Sequence, residues 1–179
     1  YDIYQCDWSS DVCSSDLDHG VEASICKILG SDALAYNVDE GVQILSGAGF
    51  IEEYGMAGMY RDERINRIFE GTNEINRTII SGYTLKKAIM EEMPLRDLIL
   101  DRSENWIPVI NISDDEPLKR EAEVVEFTRS AMAFTLNELI LKYGQDLKNE
   151  QWLLEPFADL VISLSVMDTC FKRYNQLEA

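Results

Sequence analysis

One glutamate in this sequence has the local setting of a proton acceptor. Glu70 follows the apolar residues Ile68 and Phe69 and precedes Gly71 and Thr72. An apolar environment disfavours the charged form of a carboxylate and raises its pKa toward the range in which it can take up a proton. The glycine lets a substrate come close to the backbone. The pattern indicates a candidate general base, and the alternative is a turn that carries a solvated glutamate.

A helix is predicted to begin immediately after this turn. Thr72 belongs to the residue types that cap helix N-termini, and Glu74 lies in the first turn, where the helix dipole favours an acid. Apolar residues then recur on one face as far as Met93 (Ile75, Ile79, Tyr83 and Met90). We therefore expect the carboxylate of Glu70 to lie just before the N-terminus of a helix spanning residues 72–93.

Two motifs at a characteristic separation resemble the C-terminal signature of the acyl-CoA dehydrogenase family. The first is QILSGAGF, from Gln43 to Phe50, and the second runs from Tyr60 to Arg77 and contains RDERI and EGTNEI. The resemblance covers residues 21–93. Ser46 stands where the family usually has the first of two glycines, and we expect a local adjustment of the backbone there.

The resemblance implies α,β-dehydrogenation of a fatty acyl-CoA thioester. In the family, a carboxylate removes a proton from Cα while a hydride passes from Cβ to the flavin of FAD. Glu70 has the position of the catalytic base, and Phe69 and Gly71 border the acyl thioester as substrate-binding residues. A glutamate at this position favours the short-, medium- or very-long-chain type.

The resemblance also implies an FAD cofactor and an oligomer. Thr72 and Glu74 fall where the family contacts the FAD of the same subunit, and Gln43 and Gly47 where it contacts the FAD of a neighbouring subunit. A homodimer or homotetramer with electron-transfer flavoprotein as acceptor is therefore expected. Two alternatives stay open: a related acyl-CoA oxidase that passes electrons to oxygen, and a non-catalytic helical interaction module.

Composition limits the other classes of function. The formal charge of −17 argues against nucleic acid as a partner, because phosphates are bound by lysine and arginine. The single histidine and four cysteines without paired spacing give no reason to expect a metal site. We see no apolar run that could span a bilayer and no targeting signal, and we expect a cytoplasmic, bacterial-type location.

Helical periodicity predicts an all-α fold, and the resemblance implies that its first half is the C-terminal four-helix-bundle portion of an acyl-CoA dehydrogenase. Residues 18–93 are expected to form this partial catalytic domain. A first helix should run from Val21 through Gly41 to the turn near Gly47. An irregular glycine-rich loop should follow (Gly47, Gly49, Gly55 and Gly58), and then a short helix over residues 62–69.

Two segments are interpreted as lying outside the folded domains. Residues 1–17 resemble a translated sequencing-adapter read and are set aside as non-native, with a disordered tail as the alternative. Residues 94–116 contain prolines and acids and are predicted to be a linker. Apolar residues within that linker leave a weak membrane contact possible.

The second half is predicted to be an additional helical domain, residues 117–179. Two amphipathic helices joined by a turn at Gly144 form an αα-hairpin, which is similar to the start of the extra domain of the very-long-chain branch. We expect the chain to be a truncated C-terminal fragment that is inactive alone. Two of its helices, residues 72–93 and 121–143, should then expose apolar side chains.

Overall fold

The computed structural model of the protein describes residues 19–93, Leu95, Ile99 and 118–178. Over these residues the chain is helical and contains no strand, which confirms the predicted all-α class. The chain divides into two compact units between Ile80 and Ser81. The predicted domain limits at residues 93 and 116 stay predictions, and residues 1–17 and most of the linker lie outside the described residues.

The first unit contains three helices and the beginning of a fourth. They are α1 (Gly20–Leu45), α2 (Gly47–Phe50), α3 (Met56–Arg64) and α4 (Asn73–Ile89), with 3-10 turns at Glu52–Tyr54 and Ile65–Arg67. Helix α1 packs mainly against α3, and its buried apolar side chains are Ile25, Ile28 and Val38. The prediction of one uninterrupted first helix as far as the turn is confirmed.

The segment between α1 and α4 differs from the prediction. The expected irregular loop holds α2 and the start of α3, so that Gly58 lies inside a helix. The expected helix over residues 62–69 instead ends at Arg64 and gives way to a 3-10 turn. The glycines misled the sequence analysis because α3 otherwise consists mostly of strong helix formers, whose preference exceeds the penalty of a single glycine, about 1 kcal/mol.

The second unit contains the predicted αα-hairpin. Helices α5 (Lys119–Tyr143) and α6 (Gln151–Glu178) pack together and are joined by a 3-10 turn at Gly144–Asn149. Gly144 has a φ of 51° and caps α5, as its sequence position predicted. Many of the buried apolar side chains of the hairpin follow the expected helical spacing (Val125, Met132, Leu136, Leu154, Phe157, Val161 and Leu164), and others are buried outside it (Ala133, Leu147, Ala158 and Ile162).

The expected exposure of apolar side chains on α4 and α5 is confirmed. On α4, Ile75 is 54% exposed and Met90, just beyond its end, is 58% exposed; on α5, Phe134 is 43% exposed. The side chains that α4 buries are mostly small and polar (Asn73, Asn76, Ile80, Ser81 and Thr84). No helix among the described residues is long and apolar enough to cross a membrane.

Candidate active site

The candidate base lies on a two-residue turn with a left-handed backbone. Glu70 has a φ of 57° and Gly71 a φ of 78°. A glycine adopts this conformation readily, whereas a glutamate does so at a cost of about 1 kcal/mol or more. The Glu70 side chain is exposed. The turn therefore presents the carboxylate outward from the first unit on a backbone that needs support.

The apolar setting expected around Glu70 is not formed by the described residues. Ile68 is 48% exposed and Phe69 is 45% exposed, so neither side chain encloses the carboxylate. The physical reason is that residues adjacent at a turn point into solvent unless a separate element packs over them. The sequence identified the apolar neighbours correctly, but their position next to Glu70 does not by itself bury it.

Two of the predicted cofactor-binding residues lie at the beginning of α4. The Thr72 hydroxyl accepts a hydrogen bond from the backbone N–H of Ile75 at 3.2 Å, which confirms the predicted N-cap. The pKa of Glu74 is lowered, first by its own backbone N–H and then by the Thr72 hydroxyl. Glu74 is exposed, so its ionised carboxylate and the Thr72 hydroxyl lie side by side at the surface of the helix N-terminus.

A buried asparagine lies directly beneath the turn. The amide Nδ2 of Asn76 lies 2.9 Å from the backbone oxygen of Gly71, 3.1 Å from that of Thr72 and 3.4 Å from that of Glu70. An amide nitrogen has two N–H groups, so it donates well to the two nearer carbonyls and only weakly to the third. Asn76 is 5% exposed. It thus connects three successive turn carbonyls to the first turns of α4.

A second set of contacts joins the turn to α1. The ammonium of Lys27 donates to the Gly71 oxygen at 2.9 Å and to Oδ1 of Asn73 at 2.6 Å. Asn73 is buried and donates through Nδ2 to Ser31 and Asp32, each at 2.9 Å. The sequence analysis did not identify this cluster, because its members lie more than 40 residues apart and no local pattern pairs them.

The electrostatics of Lys27 follow from its position among acids. Burial lowers the pKa of Lys27, and Coulomb attraction to Glu70, Asp32 and Glu74 opposes this change. The ammonium is therefore close enough to these carboxylates to interact with them while it donates to the turn.

The remaining predicted cofactor-binding residues lie elsewhere on the first unit. Gln43 and Gly47 are exposed at the end of α1 and the start of α2. Gln43 follows Lys27 by more than four helical turns, or about 24 Å along the axis of α1. The structure thus brings Phe69, Glu70 and Gly71 together with Thr72 and Glu74, and keeps Gln43 and Gly47 apart from them.

The expected backbone adjustment at Ser46 takes a definite form. Ser46 has a φ of 56° and a ψ of −136°, a conformation that glycine adopts and other residues rarely do. Its backbone N–H donates to the Gln43 oxygen at 3.2 Å. The serine therefore adopts a backbone conformation that favours glycine, and the turn carries the strain. The residues after this turn form part of a groove of about 770 Å³, whose lining includes Phe50, Ile51 and Tyr60.

Two ion pairs on α3 and its flanks involve charged residues of the second motif. Arg61 contacts Glu52 at 2.7 Å in an exposed pair, which contributes roughly 0–1 kcal/mol. Glu63 is buried, and its carboxylate lies 3.3 Å from Nε of Arg67. Neither pair involves Glu70.

Comparison with known proteins agrees with the motifs. Residues 9–83 match the family model of the acyl-CoA dehydrogenase C-terminal domain. The match begins within residues 1–17, whose interpretation as non-native stays a prediction. A probable acyl-CoA dehydrogenase of Bacillus subtilis is 38% identical over 166 residues, which cover 90% of this chain and 27% of the relative. The mitochondrial very long-chain specific acyl-CoA dehydrogenase of Bos taurus is 30% identical and is matched over 89% of this chain and 28% of its own length.

A solved structure shows the same fold over most of the chain. The crystal structure of an acyl-CoA dehydrogenase complexed with FAD from Bacillus anthracis matches with a TM-score of 0.80 and 41% identity, over 88% of this chain and 26% of that chain. The chain spans about a quarter of the length of the relatives it matches. It carries the EGTNEI motif on the turn and helix N-terminus described above. The chain belongs to the acyl-CoA dehydrogenase family, whose C-terminal domain it carries.

Proposed function

We propose that this chain is the C-terminal part of an FAD-dependent acyl-CoA dehydrogenase, and that Glu70 is its catalytic base. The observation that carries the proposal is the geometry of the turn. The Glu70 carboxylate is exposed to an incoming substrate, while the backbone beneath it is bonded to two helices. A base that removes a weakly acidic proton must be held within hydrogen-bond reach of it, and this turn provides such a position.

The residues beside Glu70 fit an acyl thioester. Phe69 and Ile68 offer exposed apolar surface for the acyl chain, and Gly71 leaves the backbone open to the thioester. In the proposed reaction the Glu70 carboxylate approaches Cα of the acyl chain and takes its proton. Removal of a proton and a hydride from adjacent carbons leaves the α,β double bond.

The start of α4 fits the polar part of a flavin. The half-buried Thr72 hydroxyl lies at the positive end of a helix dipole, which suits polar or anionic groups of a cofactor. FAD, when bound, accepts the hydride from Cβ. Thr72 and Glu74 would hold it close to Glu70 in the chain.

The separation of the two sets of cofactor-binding residues is compatible with an oligomer. Gln43 lies about 24 Å along α1 from Lys27, which contacts the turn, and the proposed assembly assigns the two sets to different FAD molecules. Exposed apolar side chains near both sets are suited to being covered by other parts of the enzyme (Phe50, Ile51, Met59, Ile65, Ile68 and Ile79). We propose a homodimer or homotetramer.

Several finer features belong to the same proposal. The very long-chain relative is matched over 89% of this chain, which includes the hairpin of α5 and α6 as well as the first unit. We therefore propose the very-long-chain type, with residues 117–179 as the additional domain, residues 94–116 as a linker and fatty acyl-CoA as substrate. Electron-transfer flavoprotein as acceptor and a cytoplasmic location complete the proposal.

The test enzyme is the full-length protein that carries this chain, or the Bacillus anthracis enzyme with its matching part replaced by this chain. Glu70→Gln keeps the size of the side chain and removes the proton acceptor. We expect a loss of acyl-CoA dehydrogenation by at least about 10²- to 10⁴-fold, with FAD still bound. The matched control is Glu155→Gln, an exposed glutamate on α6, which should leave the rate unchanged.

The outcomes separate the alternatives. A Glu70→Gln enzyme with activity within about threefold of the parent would refute the proposed base and favour the interaction module. An active parent enzyme that consumes one oxygen molecule per product, and does not reduce an added flavoprotein acceptor, would instead identify an oxidase.

A further inference from the structure

The turn that carries Glu70 has few contacts of its own. Glu70, Gly71 and the Ile68 and Phe69 side chains before it are all exposed. Glu70 and Gly71 both have a positive φ, and most sequences do not hold this conformation stably. A non-glycine residue at such a position costs roughly 1 kcal/mol or more. Something other than packing must therefore keep the turn in one conformation.

The contacts that fix the turn converge on one backbone oxygen. The Gly71 carbonyl accepts hydrogen bonds both from Nδ2 of Asn76 and from Nζ of Lys27, each at 2.9 Å. One donor comes from α4 and the other from α1. A carbonyl has two lone pairs, so both bonds can form at once, and together they define its direction in space.

The two donors are themselves held in place. Asn76 is buried, and its amide also donates to Thr72 in the next peptide. Lys27 is bonded to Asn73, whose amide is fixed by Ser31 and Asp32. These contacts position the lysine ammonium by a partly buried hydrogen-bond network, in contrast to the usual mobile lysine at a protein surface.

We infer that Asn76 and Lys27 are positioning residues for the catalytic base: through the Gly71 carbonyl they hold the backbone of Glu70 so that its carboxylate lies at a fixed place. This inference rests on the proposed function. Neither side chain contacts the substrate. Their effect is on the alignment of the base with the proton it removes, and a misplacement of about 1 Å at such a site can cost about 10²-fold in rate.

The experiment measures proton abstraction in the test enzyme with bound FAD. Asn76→Asp keeps the shape of the side chain, but it removes the donors and places a carboxylate against two carbonyl oxygens. We expect kcat to fall about 10²-fold, with KM within about threefold of the parent. The primary deuterium isotope effect with substrate labelled at Cα should rise, because proton removal becomes slower than the other steps.

A second pair of variants makes the result independent of any folding defect in Asn76→Asp. Lys27→Met removes the ammonium and keeps the length of the side chain, whereas Lys27→Arg keeps a charged donor. We expect a lower kcat and a larger isotope effect for Lys27→Met, with partial recovery in Lys27→Arg. A merely structural role would lower the amount of active, flavin-loaded enzyme and leave the isotope effect per flavin unchanged.

Matched controls use the same substitutions on exposed residues outside the site. Asn37→Asp alters an asparagine that donates only within its own helix, and Lys86→Met alters an exposed lysine of α4. Both should leave kcat and the isotope effect at parent values. If flavin-loaded Lys27→Met keeps the parent kcat and isotope effect, the inference is wrong even where Glu70→Gln abolishes activity. If Glu70→Gln is fully active, the proposed function fails instead.

Discussion

Replacing Gly71 by alanine tests whether the turn is as constrained as its contacts indicate. Gly71 has a φ of 78°, which costs an alanine about 1–2 kcal/mol. A Cβ built at this position would lie 3.1 Å from Nδ2 of Asn76, closer than most side-chain contacts allow. The amide would have to move by a few tenths of an ångström and would weaken its bonds to the turn carbonyls, each of which contributes about 0.5–1.5 kcal/mol.

These terms together predict a local destabilisation of about 2–3 kcal/mol for Gly71→Ala. The measurement is amide hydrogen exchange in the first turns of α4, where the N–H groups of Ile75 and Asn76 bond to Thr72. At about 1.4 kcal/mol per factor of ten, exchange at these amides should be roughly 30- to 140-fold faster.

The matched control for this substitution is Gly82→Ala. Gly82 lies inside α4 with open space where a Cβ would be, so alanine should stabilise the helix by about 0.5–1 kcal/mol. The two identical substitutions in adjoining parts of the chain should therefore change exchange in opposite directions. Equal or slower exchange in Gly71→Ala, compared with Gly82→Ala, would refute the claim that the turn is constrained.

Three further predictions concern stability. Ser46→Gly should raise the thermal midpoint, with a gain of about 1 kcal/mol, because it relieves the positive φ; a lower midpoint would show that the serine side chain stabilises the turn. Lys172 holds the pKa of Asp168 below its usual value. The stabilisation from Asp168 is therefore fully present above the usual carboxyl pKa of about 4, and it is lost as the pH falls through the lower pKa of the folded state. Urea unfolding measured against pH should show this loss of stability in acid for the parent and not for Asp168→Asn. Deleting residues 1–17 should leave the midpoint and the helical circular dichroism unchanged, and a clear drop would show that the segment packs on the fold.

The long helices could be predicted from the sequence because their signals are local. The apolar repeats and the turn at Gly144 specified α5 and α6, and Thr72 specified the start of α4. The prediction failed over residues 47–69, where glycines suggested a loop. Helix α3 forms there because the preferences of its other residues, together with packing against α1, outweigh one internal glycine.

The part of the site that the sequence could not provide is the polar cluster beneath the turn. Apolar periodicity predicts that α4 buries the face that carries Ile75, but Ile75 is exposed. The face that α4 buries in the first unit includes Asn73 and Asn76. Hydrogen bonds from Asn73 and Lys27 connect positions more than 40 residues apart. Their geometry depends on how α1 and α4 pack, and a single sequence does not contain that information.

A catalytic carboxylate must have a fixed position and a suitable environment, and this chain provides only the first. The position of Glu70, the proposed base, is determined within this chain, since Asn76 and Lys27 donate hydrogen bonds to the turn from two helices. Its environment is not, since Glu70 and Phe69 are exposed in the first unit. An apolar environment disfavours the charged form of a carboxylate and excludes water, and in the proposed enzyme it must come from the substrate and from whatever packs over the turn. Substitutions in the cluster should therefore change kcat through alignment, whereas substitutions in the covering surface should shift the pH dependence of catalysis.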